Sequence, residues 1–430
     1  MTEPVSLTAP FAWTDLASGV SARFARSLVM SRLEELRFGE LTLVDEHGTQ
    51  VFGGRLCGPK VRVHVKHPSA WTAIALGGSL GAGESYMDGL WSADDLVATV
   101  QIMIAASTRL SDLDGSGLGV VRSTLDGLYH RFRRNSKAGS RRNIAEHYDL
   151  GNDFYRLWLD ESMMYSAAVW ENEQMTLEEA QQARLERICK KLALRPTDHL
   201  LEIGTGWGAM AVYAASRFGC RVTTTTISEE QYAFARSRVR EAGLDGRVTV
   251  LLEDYRDLRG SYDKVVSIEM IEAVGAEYLE TYFAQIGRVL APEGLALVQA
   301  ITIPDDRFDE SVGRIDFIKR HIFPGGQLPS VHAMSSAWRR QTQLRLLHLE
   351  DFGEHYARTL HEWRRRFHAR SVEVEALGYS ARFVRMWDFY LASCEGAFLE
   401  RHCGVAQLLL AGPQARRAPV LGLIADAGSS

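Results

Sequence analysis

The nine residues Leu200-Leu201-Glu202-Ile203-Gly204-Thr205-Gly206-Trp207-Gly208 constrain this chain more than any other stretch. A short apolar run ends in three glycines spaced by single residues, and the apolar segment Ala209 to Phe218 follows at once. That order predicts a buried strand, a tight turn and a helix. Glycines so spaced let the backbone come close to a ligand and take up φ values that side chains forbid. The first N–H groups of the following helix are left free to face the same ligand. Met alone, the turn also fits a plain strand-to-helix connection.

The flanking pattern puts the turn inside an α/β sheet of the doubly wound kind. Thr176 with Glu179 forms a capping box, and Leu177, Leu185, Ile188, Cys189 and Leu192 mark the buried stripe of the helix it opens. Strands are expected at Leu200 to Ile203, Arg221 to Thr226, Val248 to Leu252, Tyr262 to Ile268 and Leu295 to Ile303, with a helix from Glu229 to Ala242. The C-terminal part reads as mostly helical. Phe383, Trp387, Tyr390, Leu391, Cys394 and Phe398 share one helical face there, which fits bundle core better than an acyl channel.

Before the sheet, a small α+β module is expected over residues 1–115. It comprises a helix from Ala22 to Leu36 and a hairpin of Leu41 to Val44 and Thr49 to Phe52 around the four-residue turn Asp45-Glu46-His47-Gly48. A half-buried strand from Val61 to Lys66 follows, then helices near Trp71 to Ile74 and Asp94 to Ala106, with the glycine-punctuated stretch Gly77 to Trp91 between them. Residues 116–143 form a basic linker: Arg131, Arg133, Arg134, Lys137, Arg141 and Arg142 occur there between Tyr129 and Asn143 without an acid. The linker is either a solvated connection or a contact with lipid phosphates, at ~1 kcal/mol per basic group near an anionic surface. The context for reading nucleic acid is missing. A catalytic domain over 144–415 and a flexible tail over 416–430 complete the division.

The chain's net charge of -5 exerts no global pull on nucleic acid or anionic membrane, so any such attraction is local. The five cysteines are scattered and form no C-x-x-C pair, which argues against a disulfide framework or a zinc site and fits a reducing cytoplasm. No signal segment and no apolar run near the ~18 residues of a membrane span occurs, so contact with a membrane is expected from the surface.

The residues around the turn narrow the ligand. A dinucleotide fold places an acid at the end of the second strand, where this chain has Thr226-Ile227-Ser228, and there is no G-x-x-x-x-G-K-[ST]. A nucleoside without phosphates therefore fits better. The E-x-G-x-G-x-G string, with Glu253-Asp254-Tyr255 after the third strand, resembles the S-adenosylmethionine site of class I methyltransferases. The positions that match are Tyr165, Ser166, Gly204, Gly206, Thr226, Gln231 and Tyr255.

Five longer strings resemble the cyclopropane-fatty-acyl-phospholipid synthases. They are Gly78-Ser79-Leu80-Gly81-Ala82-Gly83-Glu84-Ser85-Tyr86-Met87-Asp88-Gly89, His147-Tyr148-Asp149-Leu150-Gly151-Asn152-Asp153-Phe154-Tyr155, Met164-Tyr165-Ser166, Met270-Ile271-Glu272-Ala273-Val274-Gly275 and Ile322-Phe323-Pro324-Gly325-Gly326-Gln327-Leu328-Pro329-Ser330. The resemblance implies a class I methyltransferase sheet with helical additions, preceded by a lipid-binding N-terminal domain. It implies a peripheral enzyme, a homodimer, acting on unsaturated phospholipid from the cytoplasmic side. The cis alkene of an acyl chain attacks the sulfonium methyl, and a base then removes a proton. Alignment, exclusion of water and aromatic faces carry such a reaction, at ~0.5 to 2 kcal/mol per face, with Tyr165 and Tyr356 as neighbours of the developing charge.

In the family the base is a bound bicarbonate. By motif its holders here are Glu272, Tyr356 and the backbone N–H groups of Ala167 and Ile301. Two positions depart from the pattern: Ala167 replaces a cysteine and Gln299 a histidine. An amide can donate to an anion but cannot relay a proton near neutrality. A cyclopropane product and a methyl- or methylene-branched chain therefore both stay open, as does a lipid-binding relative without catalysis. Read without the resemblance, Glu272 is more readily a carboxylate at a helix N-terminus, Tyr356 a packing residue and His147 a structural cap or bridge. The loops Gly78 to Gly89 and Phe323 to Ser330 are assigned to lipid access.

Overall fold

From His199 onward the alternation of apolar strands and amphipathic helices builds a seven-stranded sheet. The computed structural model describes residues 19–110, 139, 150–418 and 420. Strands β1 Phe38–Asp45, β2 Gly48–Gly53, β3 Leu56–Val65 and β4 Trp91–Ala93 form one sheet; β5 His199–Ile203, β6 Arg221–Thr226, β7 Val248–Leu252, β8 Tyr262–Ile268, β9 Leu290–Thr302, β10 Arg345–Asp351 and β11 Gly404–Ala411 form the other. The chain divides into two compact units. One takes in the described N-terminal residues with 315–317 and 371–400, the other the rest. Apart from Gly139, the basic stretch Tyr129 to Asn143 lies outside the described residues, as do His147 and residues 421–430.

In the first unit the strand order is β2-β1-β3-β4, with β1 antiparallel to β2 and parallel to β3. Val61 and Val63 of β3 point inward while Arg62 and His64 are exposed, as the alternation requires. The hairpin turn has two residues rather than the expected four, because Asp45 and Gly48 are already paired. The Asp45 carboxylate accepts the N–H of His47 at 2.9 Å and tightens it.

The stretch Gly77 to Trp91, expected as a glycine-punctuated connection, is instead largely the helix Ser69–Met87, kinked where Gly78 takes φ 55°. Its glycines serve close packing: a Cβ on Gly81 falls 1.9 Å from the carbonyl oxygen of Ala73. The helix Ala381–Leu399 also belongs to this unit, although the sequence division leaves it in the catalytic span. Its aromatic face is packed core. Trp387, Tyr390, Leu391 and Phe398 are buried, and Asp388 accepts the Tyr86 hydroxyl at 2.8 Å.

In the second unit the order is β10-β11-β9-β8-β5-β6-β7, with β5 to β9 parallel and β11 reversed between β9 and β10. Alternate residues feed two cores, Leu295, Leu297 and Leu409 on one face and Ala296, Val298 and Leu408 on the other. Strands β10 and β11 lie where the sequence reads as mostly helical. The run Val405 to Ala411 is buried throughout, and a strand covered on both faces has no alternation to betray it. Arg417, assigned to a flexible tail, donates to the carbonyls of Lys190 and Lys191, each at 2.9 Å. All five cysteines are free thiols, and no helix among the described residues is long and apolar enough to cross a membrane.

Candidate active site

Between β5 and its neighbours β6 and β8 the strand order reverses, and the crevice beyond their C-terminal ends is where open α/β sheets take ligands. The glycine turn stands at that point. Gly204, Gly206 and Gly208 have φ of 97°, 51° and 87°, and the N–H groups of Gly204 and Thr205 both donate to Thr225 O at 3.0 Å, closing the turn against β6. The helix Ala209–Phe218 follows. Beneath the turn Glu202 accepts from Thr224 Oγ1 at 2.6 Å, and burial pushes its carboxyl up to about 8.

The other expected cofactor positions gather at the same edge. Thr226, ending β6, donates its hydroxyl to Gln231 Oε1 at 2.9 Å, and Ser228 caps the helix Glu229–Glu241 that carries Gln231. Tyr255 opens the turn Tyr255–Asp257, which Asp254 caps while paired with Arg256 at 2.7 Å. Its ring meets Tyr282 edge-on at 5.7 Å, and burial pushes its hydroxyl up.

Tyr165 lies inside an aromatic cluster. Trp158 and Trp363 are each 5.3 Å from its ring, Tyr155 is 5.7 Å away, and Phe323 stacks at 6.3 Å. Tyr155 also meets Trp207 of the glycine turn at 5.1 Å, which ties the cluster to the cofactor edge. Ser166, next in sequence, is buried and accepts Gln181 Nε2 on its carbonyl at 2.9 Å. The loop Phe323 to Ser330 docks beside these residues, with Gln327 N donating to the Glu272 carbonyl at 2.8 Å.

All five expected catalytic positions meet here, but around a sixth residue. Glu269 directly follows β8 and takes φ 47°. Its Oε1 accepts the Ala167 N–H at 2.9 Å and Gln299 Nε2 at 2.7 Å, and its Oε2 accepts the Tyr356 hydroxyl at 2.8 Å. The Ile301 N–H donates at 2.5 Å to Glu272 Oε1, while Glu272 Oε2 is buried without a partner. Burial, then the charge of Glu269, push the Glu272 carboxyl up to about 8. Burial also raises Glu269, against the pull of its three hydrogen bonds and the buried Arg184.

A polar line continues through the sheet. Gln299 in β9 faces Gln407 in β11 in direct register, and Gln407 Nε2 donates to Gln299 Oε1 at 2.9 Å. Lys191 donates to Gln407 Oε1 at 2.7 Å and to Glu350 at 2.6 Å. Arg187 completes the set, and despite partial burial these two cations hold Glu350 down to about 2.

A bound bicarbonate does not fit this arrangement, because Glu269 already takes the donors of Ala167, Gln299 and Tyr356, and Glu272 takes that of Ile301. Sequence reasoning missed Glu269, Arg184, Gln407 and Lys191. Only Glu269 carried a signal, an acid placed directly after a strand at the ligand-binding edge of the sheet.

Residues 135–408 match the family described as Mycolic acid cyclopropane synthetase. The chain belongs to that family. It is 37% identical over 383 residues to "Tuberculostearic acid methyltransferase UfaA1" of Mycobacterium tuberculosis, covering 87% of this chain and 88% of that protein. It is 39% identical over 349 residues to the "Cyclopropane-fatty-acyl-phospholipid synthase" of Escherichia coli, covering 81% and 87%. Among solved structures it resembles the cyclopropane synthase MmaA2 of Mycobacterium tuberculosis, with TM-score 0.59, 31% identity and coverage of 63% of this chain and 98% of that one. The mycolic acid cyclopropane synthase CmaA1 complexed with SAH and CTAB is equally similar in fold, with TM-score 0.59, 30% identity and coverage of 63% and 98%. The chain is a class I S-adenosylmethionine-dependent methyltransferase of this family. The ligand inferred from the turn and the missing phosphate motif is thus borne out.

Proposed function

We propose that this enzyme transfers a one-carbon unit from S-adenosylmethionine to the cis double bond of unsaturated phospholipid acyl chains presented at a membrane surface, most simply forming a cyclopropane. The observation that carries this reading is the aromatic cluster around Tyr165, set between the glycine turn and a pair of carboxylates. When bound, S-adenosylmethionine supplies an electrophilic sulfonium methyl. The glycine turn, Thr226, Gln231 and Tyr255 are the residues to hold it. The fully buried rings of Tyr155, Trp158 and Trp363 exclude water behind Tyr165, whose partly exposed ring offers a negative face to positive charge. No side chain needs to activate the alkene. What the protein supplies is alignment and an acceptor for one proton.

A second reading, methyl- or methylene-branched chains, is favoured by Gln299 in place of histidine and by the name of the Mycobacterium tuberculosis relative. The test incubates the full chain with S-adenosylmethionine and dioleoyl phosphatidylethanolamine and phosphatidylglycerol vesicles, then analyses the acyl chains by mass spectrometry and NMR. A gain of one CH2 with loss of the alkene supports the ring, and retention of an alkene supports branching. Acyl chains unchanged in mass refute both.

A further inference from the structure

We infer that Glu269 is the base of the reaction, a carboxylate of the chain itself in the place of a free anion, and that turnover does not need bicarbonate. The inference rests on the transferase reading above. Three donors from three separate elements converge on one carboxylate: the Ala167 amide, the Gln299 side chain of β9 and the Tyr356 hydroxyl, at 2.9, 2.7 and 2.8 Å. Such a set is built to hold an anion, and the anion it holds is Glu269.

The direction of the Gln299 bond follows from the far end of the polar line. Lys191 can only donate, so Gln407 must present its oxygen to Lys191 and its NH2 to Gln299. Gln299 then accepts on its oxygen and has only its NH2 to offer Glu269. A neutral amide oriented in this way favours a negative charge at Glu269.

Backbone geometry points the same way. Glu269 is one of four non-glycine residues in the left-handed region among the described residues, and strain of that sort persists where the surroundings over-determine it. Of the two carboxyls, Glu272 is held by backbone N–H groups alone and has a buried oxygen without a partner, whereas Glu269 has three hydrogen bonds, two of them from side chains. Glu272 is therefore the member that keeps a proton and Glu269 the ionised one. Glu269 also keeps some exposure and directly follows β8, at the C-terminal edge of the sheet where open α/β sheets take ligands.

In the step assigned to it, the alkene electron pair forms a C–C bond to the donor methyl as the C–S bond breaks, and that bond's electrons stay on sulfur. The remaining alkene carbon is left as a cation. Glu269 takes one proton, either from the transferred methyl group, whose C–H electron pair then closes the three-membered ring onto the cation, or from a carbon next to the cation, whose C–H pair then forms a new alkene, and the carboxylic acid loses the proton to solvent.

The experiment measures turnover on the dioleoyl vesicles in buffer depleted of carbon dioxide, with and without added bicarbonate, for the wild type, Glu269→Gln and Glu269→Gly. Glycine suits the positive φ at this position. The wild type is expected to keep its rate without bicarbonate, and Glu269→Gln to lose about 10²- to 10⁴-fold, the range of general-base catalysis. Glu269→Gly is expected to be slow in depleted buffer and to regain about tenfold or more with bicarbonate or formate, since the three donors then meet an anion from solution. Wild-type turnover that collapses without bicarbonate, or Glu269→Gln turnover within about threefold of wild type, overturns the assignment. A wild type that adds no carbon under any condition refutes the transferase reading and takes this assignment with it.

Discussion

Replacing Glu272 by glutamine tests the electrostatics of the site without relying on turnover. In the native protein the Glu272 carboxyl is pushed from 4.5 to about 8, by burial first and by the charge of Glu269 second. A carboxyl whose folded pKa lies above its unfolded one contributes stability in its protonated form. That stability is full below the unfolded value and is lost as pH rises toward the folded value. Over a window of about 3.5 units, at ~1.4 kcal/mol per unit, the wild type should lose up to about 5 kcal/mol relative to Glu272→Gln between pH 4.5 and pH 8. Glutamine keeps an oxygen for the Ile301 N–H, which donates at 2.5 Å, and cannot ionise. The assay is urea unfolding followed by tryptophan fluorescence at pH 5, 6, 7 and 8 on both proteins, plotted as a difference so that other titrating groups cancel. The expected result is a difference that moves in favour of the variant by ~1.4 kcal/mol per pH unit. A difference that stays flat from pH 5 to pH 8 refutes the raised pKa and, with it, the division of charge between Glu272 and Glu269.

Two further substitutions separate the halves of the site. Tyr356→Phe removes one donor from Glu269, at a cost of about 1.5–3 kcal/mol for a hydrogen bond to a charged group, so turnover should fall about 10- to 100-fold while S-adenosylmethionine affinity by titration calorimetry stays at the wild-type value. Gly206→Ala introduces a Cβ that meets no atom within 4 Å but sits at φ 51°, so the stability loss should be only about 1–2 kcal/mol by thermal unfolding, whereas S-adenosylmethionine binding should weaken about tenfold or more because the methyl group enters the crevice.

The edge at which the expected cofactor positions gather was legible because its residues are local. Gly204 to Gly208, Thr226 with Gln231, and Tyr255 each follow a strand end by a few residues, so spacing along the chain translates directly into placement at the C-terminal rim of the sheet. The helix Leu177–Leu192 with its capping box, and strands β6, β7 and β8, are likewise decided within one element. The pair of carboxylates is another matter. Glu272 and Tyr356 were found by resemblance, and that resemblance carried with it an anion whose donors Glu269 occupies here. The partner of Gln299 lies 108 residues away on a reversed strand, and the cation that orients it comes from a different helix.

What the sequence determined by itself is therefore the sheet's parallel core, the turn and the gathering of the expected cofactor positions at one edge, since backbone conformation and strand periodicity are local properties of a dozen residues at a time. Only the tertiary structure decided that β11 runs backwards between β9 and β10, that the helix Ala381–Leu399 belongs with the N-terminal unit, and that Glu269 and Glu272 divide four donors between them. The physical reason is the same in each case. A buried strand or a buried carboxylate is defined by what covers it and what hydrogen-bonds to it, and those partners are brought from distant parts of the chain when the core closes.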